Sequence, residues 1–248
     1  MQQEKLIYRN SYIINPRDAD YKKDIKPGAL INYFIQAAWL HAEELGFGYS
    51  QLSESGIGWV LSRFRIIIER FPAWPGEFIL ETWPKGMDRI LYLRDAELYD
   101  SAGERMACLT SSWIVIDLKN KRPQRTLPEA NSFIGLVSKN AIKEPAPSLS
   151  VKGDPAYSRK NMIRYNDIDV NMHLTTYRYI DLMFDSYDLD FLNNSFPAEI
   201  TVNFIKEIPF GSEVVLNRYD DHDSHKFEFI KTDDQTVCFR GEVIFKRK

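Results

Sequence analysis

Apolar residues recur at helical spacing just after Pro27 and Gly28. Leu30, Ile31, Phe34, Ile35, Ala38, Trp39, Ala42 and Leu45 fall on one broad face. Proline fits the first turn of a helix, where its missing N–H would have no partner, and Gly46 and Gly48 supply the stop. Beyond them come β-rich runs over residues 59–69, 76–83, 90–99 and 106–117, with turn signals at 72–76 and at Asp100-Ser101-Ala102-Gly103. One helix thus precedes four strands. A second amphipathic run, 174–187, precedes strand-like runs at 199–206, 213–218, 225–231 and 237–246. The order repeats.

Local sequence supports a duplication. Gly76-Glu77-Phe78-Ile79-Leu80-Glu81 resembles Gly211-Ser212-Glu213-Val214-Val215-Leu216, and Cys108 and Cys238 take equivalent places before the last strand of each half. A Pro- and Gly-containing stretch, with Pro145-Ala146-Pro147-Ser148 and Lys152-Gly153-Asp154-Pro155, separates the halves. The expected organisation is an N-terminal unit over 1–130, a linker over 131–155 and a C-terminal unit over 156–248. A large apolar helix followed by antiparallel strands suits burial of the helix inside a curved sheet. That is an α+β hot-dog unit, and two in tandem make a double hot-dog with a continuous sheet.

Composition narrows the class. The 248 residues are 44% hydrophobic, 13% aromatic and 27% charged, as in an ordinary globular protein. A net charge of −3 argues against generic nucleic-acid binding, which needs a basic face. The start, Met1-Gln2-Gln3-Glu4-Lys5, has no apolar signal core, and no apolar run is long enough to cross a bilayer, so a cytoplasmic location is expected. Two cysteines make no disulfide framework and read as buried thiols.

The chemistry concentrates in Asp167-Ile168-Asp169-Val170-Asn171-Met172-His173. On an extended segment Asp169, Asn171 and His173 share one side, while Val170 and Met172 point into the core. A carboxylate can act as base or orienter, an amide can donate to a developing oxyanion, and an imidazole can move protons near neutral pH, so the cluster suggests hydrolysis or proton transfer. Three plainer readings compete. The opening matches a calcium loop, but Met172 stands where the turn needs glycine and Arg178 where a bidentate glutamate should bind. Asp169 or Asn171 could cap the following helix, and His173 could be a core histidine held by a carboxylate. In the first half Asp18-Ala19-Asp20 echoes Asp167-Ile168-Asp169 with neither asparagine nor histidine after it, so that copy reads as chemically silent and adapted for binding.

Three stretches carry a family resemblance across nearly the whole chain: RYNDIDVNMHLTTYRYIDL from Arg164, WVLSRFRIIIERFPAWPGEFILETW from Trp59, and SSWIVIDLKNKRPQRTLPE from Ser111. They are similar to the acyl-acyl carrier protein thioesterases, whose catalytic stretch reads Asp-Leu-Asp-Val-Asn-x-His before a Tyr-Ile-containing helix. The resemblance implies cleavage of the thioester between a fatty acyl chain and the phosphopantetheine arm of acyl carrier protein, releasing free fatty acid. It places the site at Asp169, Asn171, His173 and Glu207, the last on an opposing strand. Ile208 stands where many members have cysteine, so a thiol nucleophile is missing there, and Thr175 and Thr176 replace two asparagines. Plant members carry a transit peptide and an anchor, and this chain resembles a bacterial cytoplasmic member. An acyl-CoA thioesterase of the same fold and a non-catalytic acyl-binding protein are the rival readings.

Other constellations are weaker. Asp220-Asp221-His222-Asp223-Ser224-His225 has metal-ligand types but reads first as a polar hairpin turn, and neither metal nor cofactor is called for. Lys119, Lys121, Arg122 and Arg125 are either a docking patch for an acidic carrier protein or a solvated loop. Tyr33, Phe34 and Trp39 are candidates for an acyl tunnel, with plain core the alternative. The oligomeric state is open, a homodimer included.

Overall fold

A computed structural model describes residues 6–124, 127 and 138–247. Two compact units divide the chain, Met1–Ile25 with Leu30–Ala146, and Lys26–Ala29 with Pro147–Lys248. The first contains β1 (Tyr8–Ile13), α1 (Pro27–Glu44) from Leu30 onward, α2 (Tyr49–Glu54), β2 (Ile57–Ile68), β3 (Glu77–Asp88), β4 (Leu91–Tyr99) and β5 (Arg105–Asp117). The second contains β6 (Tyr157–Met162), α3 (Thr176–Phe184), α4 (Leu189–Asn194), β7 (Ser195–Phe204), β8 (Glu213–Asp221), β9 (Ser224–Lys231) and β10 (Val237–Arg247). Within the first unit the strands run β1-β3-β4-β5-β2, and within the second β6-β8-β9-β10-β7, with every one of these neighbours antiparallel. The two units are wired alike.

Periodicity locates eight of the strands, β2–β5 and β7–β10, and misses β1 and β6. Strands β1 and β6 read YRNSYI and YSRKNM, with too few apolar residues to signal a strand, and backbone pairing to β3 and β8 makes them. Such polar edges also discourage pairing with another chain. Each unit therefore starts with a strand rather than a helix, and each has a second short helix. The second-half helix is shorter than the amphipathic run, because Leu174 belongs to a backbone bridge with Ile168 and the helix closes at Asp185. Strand β3 continues past Trp83 by absorbing Pro84 at a register shift, where a missing N–H costs least. Cys108 and Cys238 lie inside β5 and β10 rather than before them, both buried and free.

Each core sits between helix and sheet. In the first unit Tyr33 of α1 packs edge-on against Tyr12 and Phe78, with ring centroids 5.4 and 5.3 Å away, and Phe34 is fully buried. Trp39 departs from the expected apolar face. It is 51% exposed, and its indole N–H donates to Glu43 at 3.0 Å. In the second unit Tyr179 of α3 stacks on Phe229 and Phe239 at 5.6 and 4.8 Å and meets Phe204 edge-on. Gly241 on β10 lets α3 approach, since a Cβ there would lie 2.8 Å from the Met183 sulfur.

The segment between the units is tied down on both sides. Lys139 accepts the Trp83 indole N–H at 3.0 Å, the Ala141 N–H reaches Asp95 at 2.8 Å, and the Ile142 carbonyl accepts from the buried Lys85 ammonium, itself 3.3 Å from Asp95. Further on, the Leu149 N–H and the Pro147 carbonyl bond the two ends of the Asn203 amide, at 2.7 and 2.9 Å.

Candidate active site

The Asp-x-Asn-x-His segment is a closed turn, not an extended strand. Residues Tyr165–Asp167 form a single 3-10 turn, Ile168 bridges Leu174, and Asp169 N–H donates to the His173 carbonyl at 2.9 Å. Met172 N–H returns to the Asp169 carbonyl at 3.0 Å, which puts Met172 at φ 64° in the left-handed region. The alternation expected of a strand fails as a result. Val170 and Met172 project into solvent, 97% and 56% exposed, instead of into the core. What brings Asp169 and His173 to the same end of the segment is closure of the turn.

Asp169 organises that turn through one oxygen. Its Oδ1 accepts the backbone N–H of Asn171 at 2.8 Å and of His173 at 3.3 Å. The helix cap expected of Asp169 or Asn171 is not made: the N-cap of α3 is Thr175 and has no side-chain bond, and Asp169 is spent on the turn instead. Asn171 is exposed on the turn. The Asp167 carboxylate goes elsewhere, to the Arg178 guanidinium at 2.9 Å, which also holds Asp181 at 3.0 Å. Arg178, which spoils the calcium pattern, therefore neutralises the first aspartate of the motif.

His173 points to a different carboxylate. Its Nε2 lies 3.3 Å from Glu207 Oε2, and both side chains reach the surface. Glu207 is not on a strand as expected, because β7 ends at Phe204 and Glu207 follows in an irregular segment. Backbone bonds clamp that segment to the turn: Leu174 N–H to the Ile208 carbonyl at 2.8 Å, and Phe210 N–H to the Met172 carbonyl at 3.0 Å, with His173 bridged to Pro209. Ile208, which the resemblance sets at a cysteine position, is fully buried.

Tyr179 is a site residue that motif reading overlooks. Its ring meets Phe204, three residues before Glu207, edge-on at 5.3 Å, and burial first of all, then neighbouring charges including Glu207 and Asp169, raise its pKa above the ordinary tyrosine range. It is a buried, neutral ring packed on the strand that leads to Glu207. A tyrosine on the apolar face of the adjacent helix, with a polar tip to satisfy, is the sequence signal that would have found it.

Elsewhere, His222 and Asp223 form the two-residue turn between β8 and β9, as the polar-hairpin reading expects. Lys119, Lys121 and Arg122 lie exposed in the turn after β5, which Asp117 organises by accepting the N–H groups of Lys119 and Asn120 at 2.9 Å. Arg125 is outside the described residues.

Residues 5–134 match the acyl-ACP thioesterase N-terminal domain and residues 153–246 its C-terminal domain. The chain belongs to the acyl-ACP thioesterase family. Among curated relatives of this chain are the chloroplastic dodecanoyl-[acyl-carrier-protein] hydrolase of Cinnamomum camphora, 23% identical over 226 residues (84% of this chain, 58% of that one), and oleoyl-acyl carrier protein thioesterase 2 of Arabidopsis thaliana, 26% identical over 217 residues (81% and 59%). The chain spans little more than half the length of these relatives. Its fold is that of an acyl-ACP thioesterase from Bacteroides thetaiotaomicron, with TM-score 0.91, 24% identity and 99% and 100% of the two chains covered. The 12:0-ACP thioesterase from Umbellularia californica superimposes with TM-score 0.86 at 20% identity, covering 98% of each. The double hot-dog architecture expected from the repeated order is the fold of these structures.

Proposed function

We propose that this thioesterase hydrolyses fatty acyl-acyl carrier protein, ending chain elongation by releasing the free fatty acid. The observation that carries the reading is the His173–Glu207 approach of 3.3 Å on a turn whose backbone is fixed on both sides. A thiolate leaves readily, so the protein needs an aligned nucleophile and charge stabilisation at the carbonyl oxygen more than leaving-group activation. Glu207 takes a proton from water as it attacks the thioester carbon, His173 orients that carboxylate and relays the proton, and Asn171 with a backbone N–H donates to the oxyanion. Collapse breaks the C–S bond and the proton passes to the departing thiolate. Asp169, with Oδ1 engaged by the turn, supplies a second carboxylate through Oδ2, as base or as direct nucleophile.

In this reading the N-terminal unit binds the acyl chain and the C-terminal unit carries the chemistry. Of the three aromatic residues proposed for the acyl chain, Tyr33 and Phe34 face the interior and Trp39 does not, so the assignment rests on the first two. Lys119, Lys121 and Arg122, with Arg125, form the proposed carrier-docking patch. Among the described residues no helix is long and apolar enough to cross a membrane. The setting we assign is cytoplasmic. The test is a panel of acyl carrier protein and coenzyme A thioesters of graded chain length, with released fatty acids identified. Higher kcat/KM on the carrier substrates is expected, preference for the coenzyme A series would make this an acyl-CoA thioesterase, and no release from either would leave an acyl-binding protein.

A further inference from the structure

Large apolar side chains on a surface turn need a reason, because folding places them inside where it can. The segments that carry His173 and Glu207 hold several of them, among them Val170 at 97%, Met172 at 56% and Phe210 at 52% exposure. They belong to one structural unit, since the Phe210 N–H donates to the Met172 carbonyl and His173 is bridged to Pro209 between them. The proposed pair therefore shares its two clamped segments with exposed apolar side chains.

Folding does not ask for these residues. Met172 occupies a left-handed conformation, φ 64°, where Asn or Gly would be less strained. The first unit builds the same turn with Lys23 at φ 71° in the equivalent place, so a charged side chain satisfies the backbone equally well there. A methionine held exposed at that position, one residue before the proposed catalytic histidine, is accounted for by contact with something that arrives there.

We propose that Val170, Met172 and Phe210 form an apolar clamp for the pantetheine portion of the substrate arm. The proposal rests on the reading of His173 and Glu207 as the hydrolytic pair. With the thioester at that pair, the atoms lying against the clamp are those next to the sulfur, the cysteamine, β-alanine and dimethyl-bearing pantoyl groups, whose alternating amides and apolar carbons suit a neutral, apolar lip. A carrier protein and coenzyme A both present this chain.

The test compares acyl thioesters of N-acetylcysteamine, which ends just beyond the sulfur, with those of pantetheine, acyl carrier protein and coenzyme A. Val170→Ser combined with Met172→Asn, and separately Phe210→Ser, should raise KM by about tenfold on every substrate with a full pantetheine arm and change the short thioester by less than about twofold. Asparagine suits the left-handed position, and unchanged Tm excludes a folding defect. Equal losses on all four substrates, no loss on any, or a loss confined to the carrier substrate would each overturn the assignment. So would sedimentation showing a self-association of wild type that the variants abolish, since these side chains would then be covered by a second copy. Failure of wild type to hydrolyse any of the four would instead overturn the functional reading itself.

Discussion

The turn at Asp20 and the turn at Asp169 share a backbone and differ in chemistry. In the first, Asp20 N–H donates to the Asp24 carbonyl at 2.8 Å, Lys23 N–H returns to the Asp20 carbonyl at 3.0 Å, and Asp20 Oδ1 accepts the N–H groups of Lys22 and Asp24 at 2.8 and 3.0 Å. Each bond has its counterpart around Asp169. Even the outer clamps correspond, Ile25 to the Pro72 carbonyl and Trp74 to the Lys23 carbonyl matching Leu174 to Ile208 and Phe210 to Met172. Asn171 and His173, however, replace Lys22 and Asp24, and Glu207 takes the place of Phe71. An aspartate at 20 or 169 is thus explained by the turn, whereas the imidazole and glutamate opposite each other are not required by it. The same hydrogen-bonded turn thus carries different side chains in the two units.

The sharpest way to break this comparison is to change the corresponding carboxylates. Glu207→Gln and Asp169→Asn should each lower kcat by about two or more orders of magnitude, the usual scale for losing a general base, with Tm unchanged because both amides keep an acceptor oxygen. Asp20→Asn should leave kcat within about twofold for the same reason. If Asp169→Asn instead behaves like Asp20→Asn, the second aspartate is a turn former only and Glu207 alone carries the base role.

A smaller effect is expected at the carrier patch. Reversing Lys119, Lys121, Arg122 and Arg125 to glutamate should lower kcat/KM for acyl carrier protein substrates by about tenfold at low salt, with the deficit shrinking as salt rises. A short carrier-free thioester should be unaffected. Equal losses on both substrates would mark these residues as an ordinary solvated turn.

The least effect on turnover belongs to the two thiols, which occupy inner strands in both units. Burial pushes the pKa of Cys108 and Cys238 up, so at neutral pH each is a neutral thiol and a poor nucleophile. Cys108→Ala with Cys238→Ala should keep most activity while lowering stability by about 1–3 kcal/mol through small cavities, read by denaturant unfolding. Selective loss of turnover at unchanged stability would restore a thiol mechanism.

Sequence alone determined the repeated order of helix and inner strands, because burial on one face imposes a period that survives any arrangement of the whole. It also exposed the Asp-x-Asn-x-His cluster and the missing cysteine at Ile208. The edge strands β1 and β6 were illegible, since their pairing comes from backbone groups of β3 and β8 and leaves little trace in their side chains. Tertiary structure alone decided that the Asp-x-Asn-x-His segment closes into a turn, which sends Val170 and Met172 outward, and that Asp169 spends one oxygen on that turn. It also brought Glu207 to within 3.3 Å of His173 from a segment far along the chain. Periodicity reports which face is buried, but a turn is governed by local hydrogen bonds and a left-handed residue, and a contact between distant segments by the register of strands that neither segment encodes.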